Sequence, residues 1–187
     1  MKEEIIFAGF GGQGIMLMGK AFSYAAMNEG KNVTWMPSYG AEVRGGTAHS
    51  MVVISDSPIA SPVVREPSIC IVMNKPSLQK FEPKMKPMGT LIINKSLVEV
   101  KAKRDDIDVL EIPATDMALK LGNPRVSNMI MLGALLARKD LLPIGSLSHS
   151  LKDVIPGHHH NMIAINEKAI MEGYKYGSRQ ICPKSNR

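Results

Sequence analysis

Residues Gly9 to Gly14 read G-F-G-G-Q-G and join an apolar run, Ile5–Ala8, to a longer apolar stretch, Ile15–Asn28. Four glycines in six residues let a backbone turn tightly and expose its amides. A helix that follows such a turn directs its positive end at whatever lies in front of it. Strand, glycine turn and helix in that order point to an α/β architecture with a seat for an anionic group. Gly9, Gly11 and Gly14 also match the spacing of the dinucleotide fingerprint. Enzymes with that fingerprint place Asp or Glu at the end of the second strand, about 20 residues on, to hold a ribose. Here the corresponding stretch is Thr34-Trp35-Met36-Pro37-Ser38, without a carboxylate, and no arginine follows until Arg44. The turn also lacks the Gly-Lys-Ser/Thr ending of a nucleoside-triphosphate loop. Three readings stay open: a dinucleotide site, a purely structural turn, and a seat for another anion or for a partner chain's backbone.

Further along, apolar runs at Val33–Met36, Ala48–Ile54, Ile69–Met73, Leu91–Asn94 and Val109–Ile112 read as strands. Helical character is expected over Ile15–Asn28, Thr115–Leu121, Asn128–Lys139, Ser146–Val154 and Asn166–Tyr176. Strands that are apolar throughout, alternating with helices, predict a mostly parallel sheet covered on both faces. One α/β domain over residues 1–177 and a basic, flexible tail over 178–187 are expected. Ligands of such sheets bind beyond the carboxyl ends of the strands. The glycine turn and the loop Ser38–Thr47 should therefore share one rim.

That loop, Tyr39-Gly40-Ala41-Glu42-Val43-Arg44-Gly45-Gly46-Thr47, is the second candidate. Arg44 can grip a carboxylate or phosphate with two prongs, and Gly45 and Gly46 admit a close approach. A solvated loop with a Glu42–Arg44 ion pair is the alternative. His158-His159-His160 invites a metal reading, but neighbours on extended chain point to alternate sides, so a solvated loop is expected. His49, on a strand, reads as packed or paired. Cys70 lies in an apolar run and Cys182 in a polar stretch, and no C-x-x-C occurs. The chain alone therefore cannot supply four cysteines to an iron–sulfur cluster or zinc site.

A net charge of +6 permits anionic ligands or nucleic acid without demanding either. Aromatics are 5% and do not interleave with basic residues, so no nucleic-acid partner is expected. No apolar run approaches the roughly 20 residues of a membrane span. Met1-Lys2-Glu3-Glu4 leads directly into the first strand, leaving no room for a leader, and a cytoplasmic location is expected. The 14 methionines suit either an irregular core or an adaptable subunit interface.

G-F-G-G-Q-G together with Y-G-A-E-V-R-G-G resembles the gamma subunit of 2-oxoacid:ferredoxin oxidoreductases. N-M-I-M-L-G-A-L from Asn128 resembles that family's Asn-then-Leu-Gly helix, and Asn166-Glu167-Lys168-Ala169 with Gly173 resembles its C-terminal helix. The resemblance covers nearly the whole chain and is greatest to the 2-oxoglutarate enzymes. It implies a three-layer Rossmann-like fold, as in domain III of pyruvate:ferredoxin oxidoreductase. It implies a multisubunit enzyme that decarboxylates a 2-oxoacid with coenzyme A, giving acyl-CoA, carbon dioxide and reduced ferredoxin. Thiamine diphosphate, magnesium and iron–sulfur clusters are then expected in partner subunits alpha, beta and delta, with none held by this chain alone. The motif positions carried over are Gly9, Gly11, Gly12, Gln13 and Gly14, then Tyr39, Gly40, Glu42, Arg44, Gly45, Gly46 and Thr47, and Asn128. They are expected to wall a site for an anion, either a coenzyme A phosphate or a substrate carboxylate. No catalytic residue and no metal ligand is expected.

Overall fold

A computed structural model describes residues 1–38 and 47–180. Six strands form one sheet among these residues: β1 (Lys2–Gly9), β2 (Asn32–Ser38), β3 (Ala48–Ser55), β4 (Ile69–Val72), β5 (Thr90–Asn94) and β6 (Asp108–Ile112). The order is β2-β3-β1-β4-β5-β6. β1, β4, β5 and β6 pair in parallel, whereas β3 runs antiparallel to both β1 and β2. The mostly parallel sheet thus contains one reversed strand, and the reversal has a simple cause. Only residues 39–47 join β2 to β3, and a parallel return needs a crossover of about a dozen residues or more.

The helices are α1 (Ile15–Asn28), α2 (Lys75–Phe81), α3 (Ala114–Lys120), α4 (Ser127–Arg138), α5 (Ile144–Val154) and α6 (Ile163–Arg179). α2 was not expected from periodicity. Seven residues are too short to display it, although Asn74 caps the helix by accepting from the Ser77 amide at 2.9 Å and Pro76 follows in its first turn. α6 continues through Arg179, two residues into the stretch expected as tail, and residues 181–187 lie outside the described part.

Alternation along β1 divides the core. Ile5 and Phe7 join the layer built from α1, α3, α4, α5 and α6, whereas Ile6 and Ala8 face α2 and the segments around Val64 and Val98. The apolar strands follow from this burial on both faces: every residue of β4 and β5 is buried. Phe7 meets Phe22 of α1 edge to face, with centroids 6.0 Å apart. Met18, Met129 and Met131 are buried and Met27, Met88 and Met171 exposed, so methionine serves core and surface alike. Cys70 is fully buried on β4, and burial pushes its thiol up.

The largest helix contact, α4 against α6, is set by three glycines. A Cβ on Gly133 would overlap the Ile170 carbonyl and lie 2.9 Å from the Tyr174 amide nitrogen. One on Gly173 would overlap the Ile130 carbonyl, and one on Gly177 would lie 2.8 Å from Ala137 Cβ. Backbone therefore packs directly on backbone, and ten of the twelve residues of α4 are buried. Gly173→Ala should lower stability by about 1–3 kcal/mol, read as a drop in denaturant midpoint at unchanged m-value.

On the opposite rim, Glu4 pairs with Lys86 and, at 3.0 Å, with Lys2. Burial pushes the Glu4 carboxyl up, but the two lysines outweigh it and hold it below its ordinary 4.5. A depressed carboxylate stabilises the fold above its unfolded value, and that contribution is lost as pH falls. Glu4→Gln should flatten the decline in unfolding free energy below about pH 4.5, measured by denaturation across pH 3–6.

Candidate functional site

β1 ends at Gly9, where a side chain has no room: a Cβ would stand 2.6 Å from Gln13 Oε1 and 2.9 Å from Met73 Cβ. Gly12 and Gly14 have φ of 88° and 72°, left-handed values that favour glycine. Gly14 caps α1 without a side chain, and its missing Cβ leaves space for Asn128. The buried Asn128 amide donates to the Gly14 carbonyl at 3.3 Å, and its oxygen accepts from Met129 N at 2.9 Å. Asn128 therefore fastens the start of α4 to the start of α1. It supports the turn from behind.

Gln13 fastens the turn on its other side. Its Oε1 accepts from Phe10 N at 2.6 Å and from Asn74 Nδ2 at 3.3 Å, and its Nε2 donates to the Met73 carbonyl at 3.5 Å. The side chain thus bridges the turn after β1 to the turn after β4. The helices that follow these neighbouring strands lie on opposite faces, so the bridge spans the point where an open α/β sheet places its ligand crevice. The Phe10 amide is taken up by Gln13. Among the described residues, the amides of Gly11, Gly12, Ile15, Met16 and Leu17 make no hydrogen bond, and the first turn of α1 holds no acidic residue.

These amides border a cavity of about 400 Å³ whose lining includes Phe10, Met16, Leu17 and Ala48. A second cavity, of about 300 Å³, shares Leu17 and is bounded by Arg125, Val126, His159, Asn161 and Asn166 among others. The Arg125 guanidinium makes no ion pair or hydrogen bond to a described residue. The two cavities adjoin at Leu17 and are lined largely by apolar side chains; the turn amides without a described partner border one, and Arg125, unpaired among the described residues, borders the other. Arg125 escaped the sequence reading. The signal was there, in Asn123-Pro124-Arg125 just before the Asn128 helix, where Asn123 Oδ1 takes the Arg125 amide at 3.0 Å.

Tyr39, Gly40, Glu42, Arg44, Gly45 and Gly46 lie outside the described residues. Their flanks lie on the same rim as the glycine turn, as expected, and the later one reaches it: Ala48 pairs with Gly9, Ser38 pairs with His49 one strand further out, and Thr47 is buried. His49 packs on Phe81, with rings 5.2 Å apart. The His158 and His159 rings lie 4.2 Å apart, tilted by 50°, on an exposed 3-10 turn, and His160 Nε2 lies 3.0 Å from the Ile155 carbonyl. Among the described residues no three His, Cys, Asp or Glu side chains are placed to hold a metal ion. No described helix is long and apolar enough to cross a membrane.

The dinucleotide reading meets a second obstacle besides the missing acid. β3 lies between β1 and β2, which moves the end of β2 two strand spacings, about 10 Å, from the glycine turn. Trp35 at that edge donates to Ser50 Oγ at 2.7 Å and covers Gly19 of α1.

Residues 4–176 match the family model described as pyruvate ferredoxin/flavodoxin oxidoreductase. The 2-oxoglutarate synthase subunit KorC of Methanocaldococcus jannaschii is 36% identical over 83% of this chain and 85% of its own length. The ketoisovalerate oxidoreductase subunit VorA of Methanothermobacter marburgensis is 36% identical over 72% of this chain, which spans only 28% of that relative. Among solved structures, the keto/oxoacid ferredoxin oxidoreductase gamma subunit of Geobacter sulfurreducens superposes with a TM-score of 0.81 at 25% identity, over 94% of this chain and 98% of its own. The 2-oxoglutarate:ferredoxin oxidoreductase of Magnetococcus marinus, solved with 2-oxoglutarate, coenzyme A and succinyl-CoA, shares the fold with a TM-score of 0.85 at 22% identity, over 95% of this chain and 31% of its own. With its glycine turn, reversed strand and paired rim, the chain belongs to the pyruvate ferredoxin/flavodoxin oxidoreductase family.

Proposed function

We propose that this chain is the gamma subunit of a cytoplasmic, multisubunit 2-oxoacid:ferredoxin oxidoreductase whose oxoacid is 2-oxoglutarate. Alpha, beta and delta subunits would hold thiamine diphosphate, magnesium and the iron–sulfur clusters, and ferredoxin would take the electrons. This chain contributes a wall of the coenzyme A site. The observation that carries the reading is the pair of cavities that adjoin at Leu17: amides of Gly11, Gly12 and the start of α1 without a partner among the described residues border one, and Arg125, likewise unpaired among them, borders the other. That arrangement fits a ligand with negative groups and a long apolar arm. Amides of a helix start and a guanidinium both favour phosphate. Arg44, in the sequence between β2 and β3, would help hold the same anion.

The Gln13 bridge favours a second reading, in which the turn is only a structural weld and the subunit a scaffold. Two measurements separate them. In the reconstituted complex, Arg125→Ala and Arg44→Ala should each raise the KM for coenzyme A about tenfold or more, the loss of one charge-assisted hydrogen bond, with kcat largely kept. Unchanged constants in an intact complex would leave the scaffold reading standing. Coenzyme A should also protect the Gly11–Leu17 amides from hydrogen exchange.

Gln13→Leu strands the buried Asn74 amide and should cost about 1–3 kcal/mol of stability. Its thermal midpoint should fall while the KM for coenzyme A stays within about twofold, because Gln13 shapes the turn and Arg125 meets the ligand. A large KM change with no loss of stability would instead put Gln13 on the ligand.

A further inference from the structure

The two edges of the sheet differ. β2, at one edge, contains Pro37, which has no amide hydrogen to offer, and its exposed Trp35 is tied back to Ser50. β6, at the other, has no proline. Its phase is set by two bonds to the β5 side: Asp108 N donates to Gly89 O at 2.8 Å and Lys95 N to Ile112 O at 2.9 Å. Asp108, Leu110 and Ile112 therefore turn their backbone groups toward β5, and Val109 and Glu111 turn theirs outward. The outward amides and carbonyls of Val109 and Glu111 bond to no described residue.

This open edge borders a cleft of about 540 Å³ walled by Lys95, Lys101, Arg138, Tyr176 and Gln180. Arg138 is neutralised by Asp108, donating from Nε at 2.6 Å, and Lys95 lies 3.3 Å from Glu111. Lys101 has no acidic partner among the described residues, so the cleft keeps a net positive charge. Two outward backbone pairs at strand spacing, about 6.6 Å apart, match an extended polypeptide. The chain's own residues 181–187 carry Lys184 and Arg187 and no acidic residue, which sets their charge against the cleft.

We propose that β6 is an acceptor edge: an extended, acidic segment of a partner subunit adds to the sheet beside Val109 and Glu111, with a carboxylate on Lys101. The inference rests on the reading of this chain as one subunit of a larger assembly. It is tested by hydrogen exchange on a peptide covering residues 107–112, in the isolated chain and in the complex purified with its partners. The Val109 and Glu111 amides should exchange at least about 100-fold more slowly in the complex. Val109→Pro removes an outward N–H and trims a partly buried side chain, so a variant shown to be folded by its thermal midpoint should bind the partners about tenfold or more weakly. Lys101→Glu should weaken binding in the same direction, and less so at high salt.

A complex in which both amides exchange as in the isolated chain overturns the proposal, whatever the variants do. So does a folded Val109→Pro chain that assembles with unchanged affinity. Protection already present in the isolated chain would identify its own last seven residues, or a second copy if it grows with concentration, and equally overturns it. If the chain assembles with no partner, the subunit reading fails and this inference falls with it.

Discussion

The return from β2 to β3 spans only residues 39–47, and this shortness governs the rim of the molecule. Too short for a helical crossover, it sends β3 back alongside β2 and seats it against β1. β2 is pushed to the edge, away from the glycine turn. A dinucleotide fold needs the end of its second strand beside that turn. Here the place is taken by the start of β3, with Ala48 opposite Gly9, so Ala48 lines the cavity beside the turn where a dinucleotide fold would place a ribose-binding acid.

Within that frame the glycines act in two physically separate ways. Gly12 and Gly14 supply left-handed backbone, which lets the turn present amides without side chains in front of them. Gly133, Gly173 and Gly177 supply absence, because the α4 and α6 backbones occupy the space a Cβ would need. The Leu-Gly of one family-like helix and the Gly173 of the other are thus two halves of one contact. That contact holds α4 firmly, and Asn128 passes the position of α4 to the start of α1. The geometry of the site depends in this way on packing well behind it.

Much of the fold was legible beforehand. α1 was readable to the residue, and the strand runs are apolar because both faces of the sheet are covered. α2 was not legible, since its seven residues carry too little periodicity. Of the candidate site, the glycine turn and Asn128 were readable as motifs, and the shared rim followed from strand polarity. The roles of Gln13 and Asn128 were not. Each acts on a partner distant in sequence, Asn74 and Met73 for one and Gly14 for the other.

By itself the sequence determined the family, the alternation of strands and helices, the glycine turn as a motif, and the lack of enough cysteine for a cluster within this chain. These are local or countable properties, set by backbone sterics and side-chain chemistry. Only the tertiary structure decided which amides of the turn are already taken up and which are free. It also brought Arg125 to a cavity adjoining that of the turn and, among the described residues, left one sheet edge open beside a basic cleft. Those depend on contacts between residues some sixty to more than a hundred positions apart, and no local pattern encodes which distant partner a hydrogen-bonding group will meet once the chain has packed.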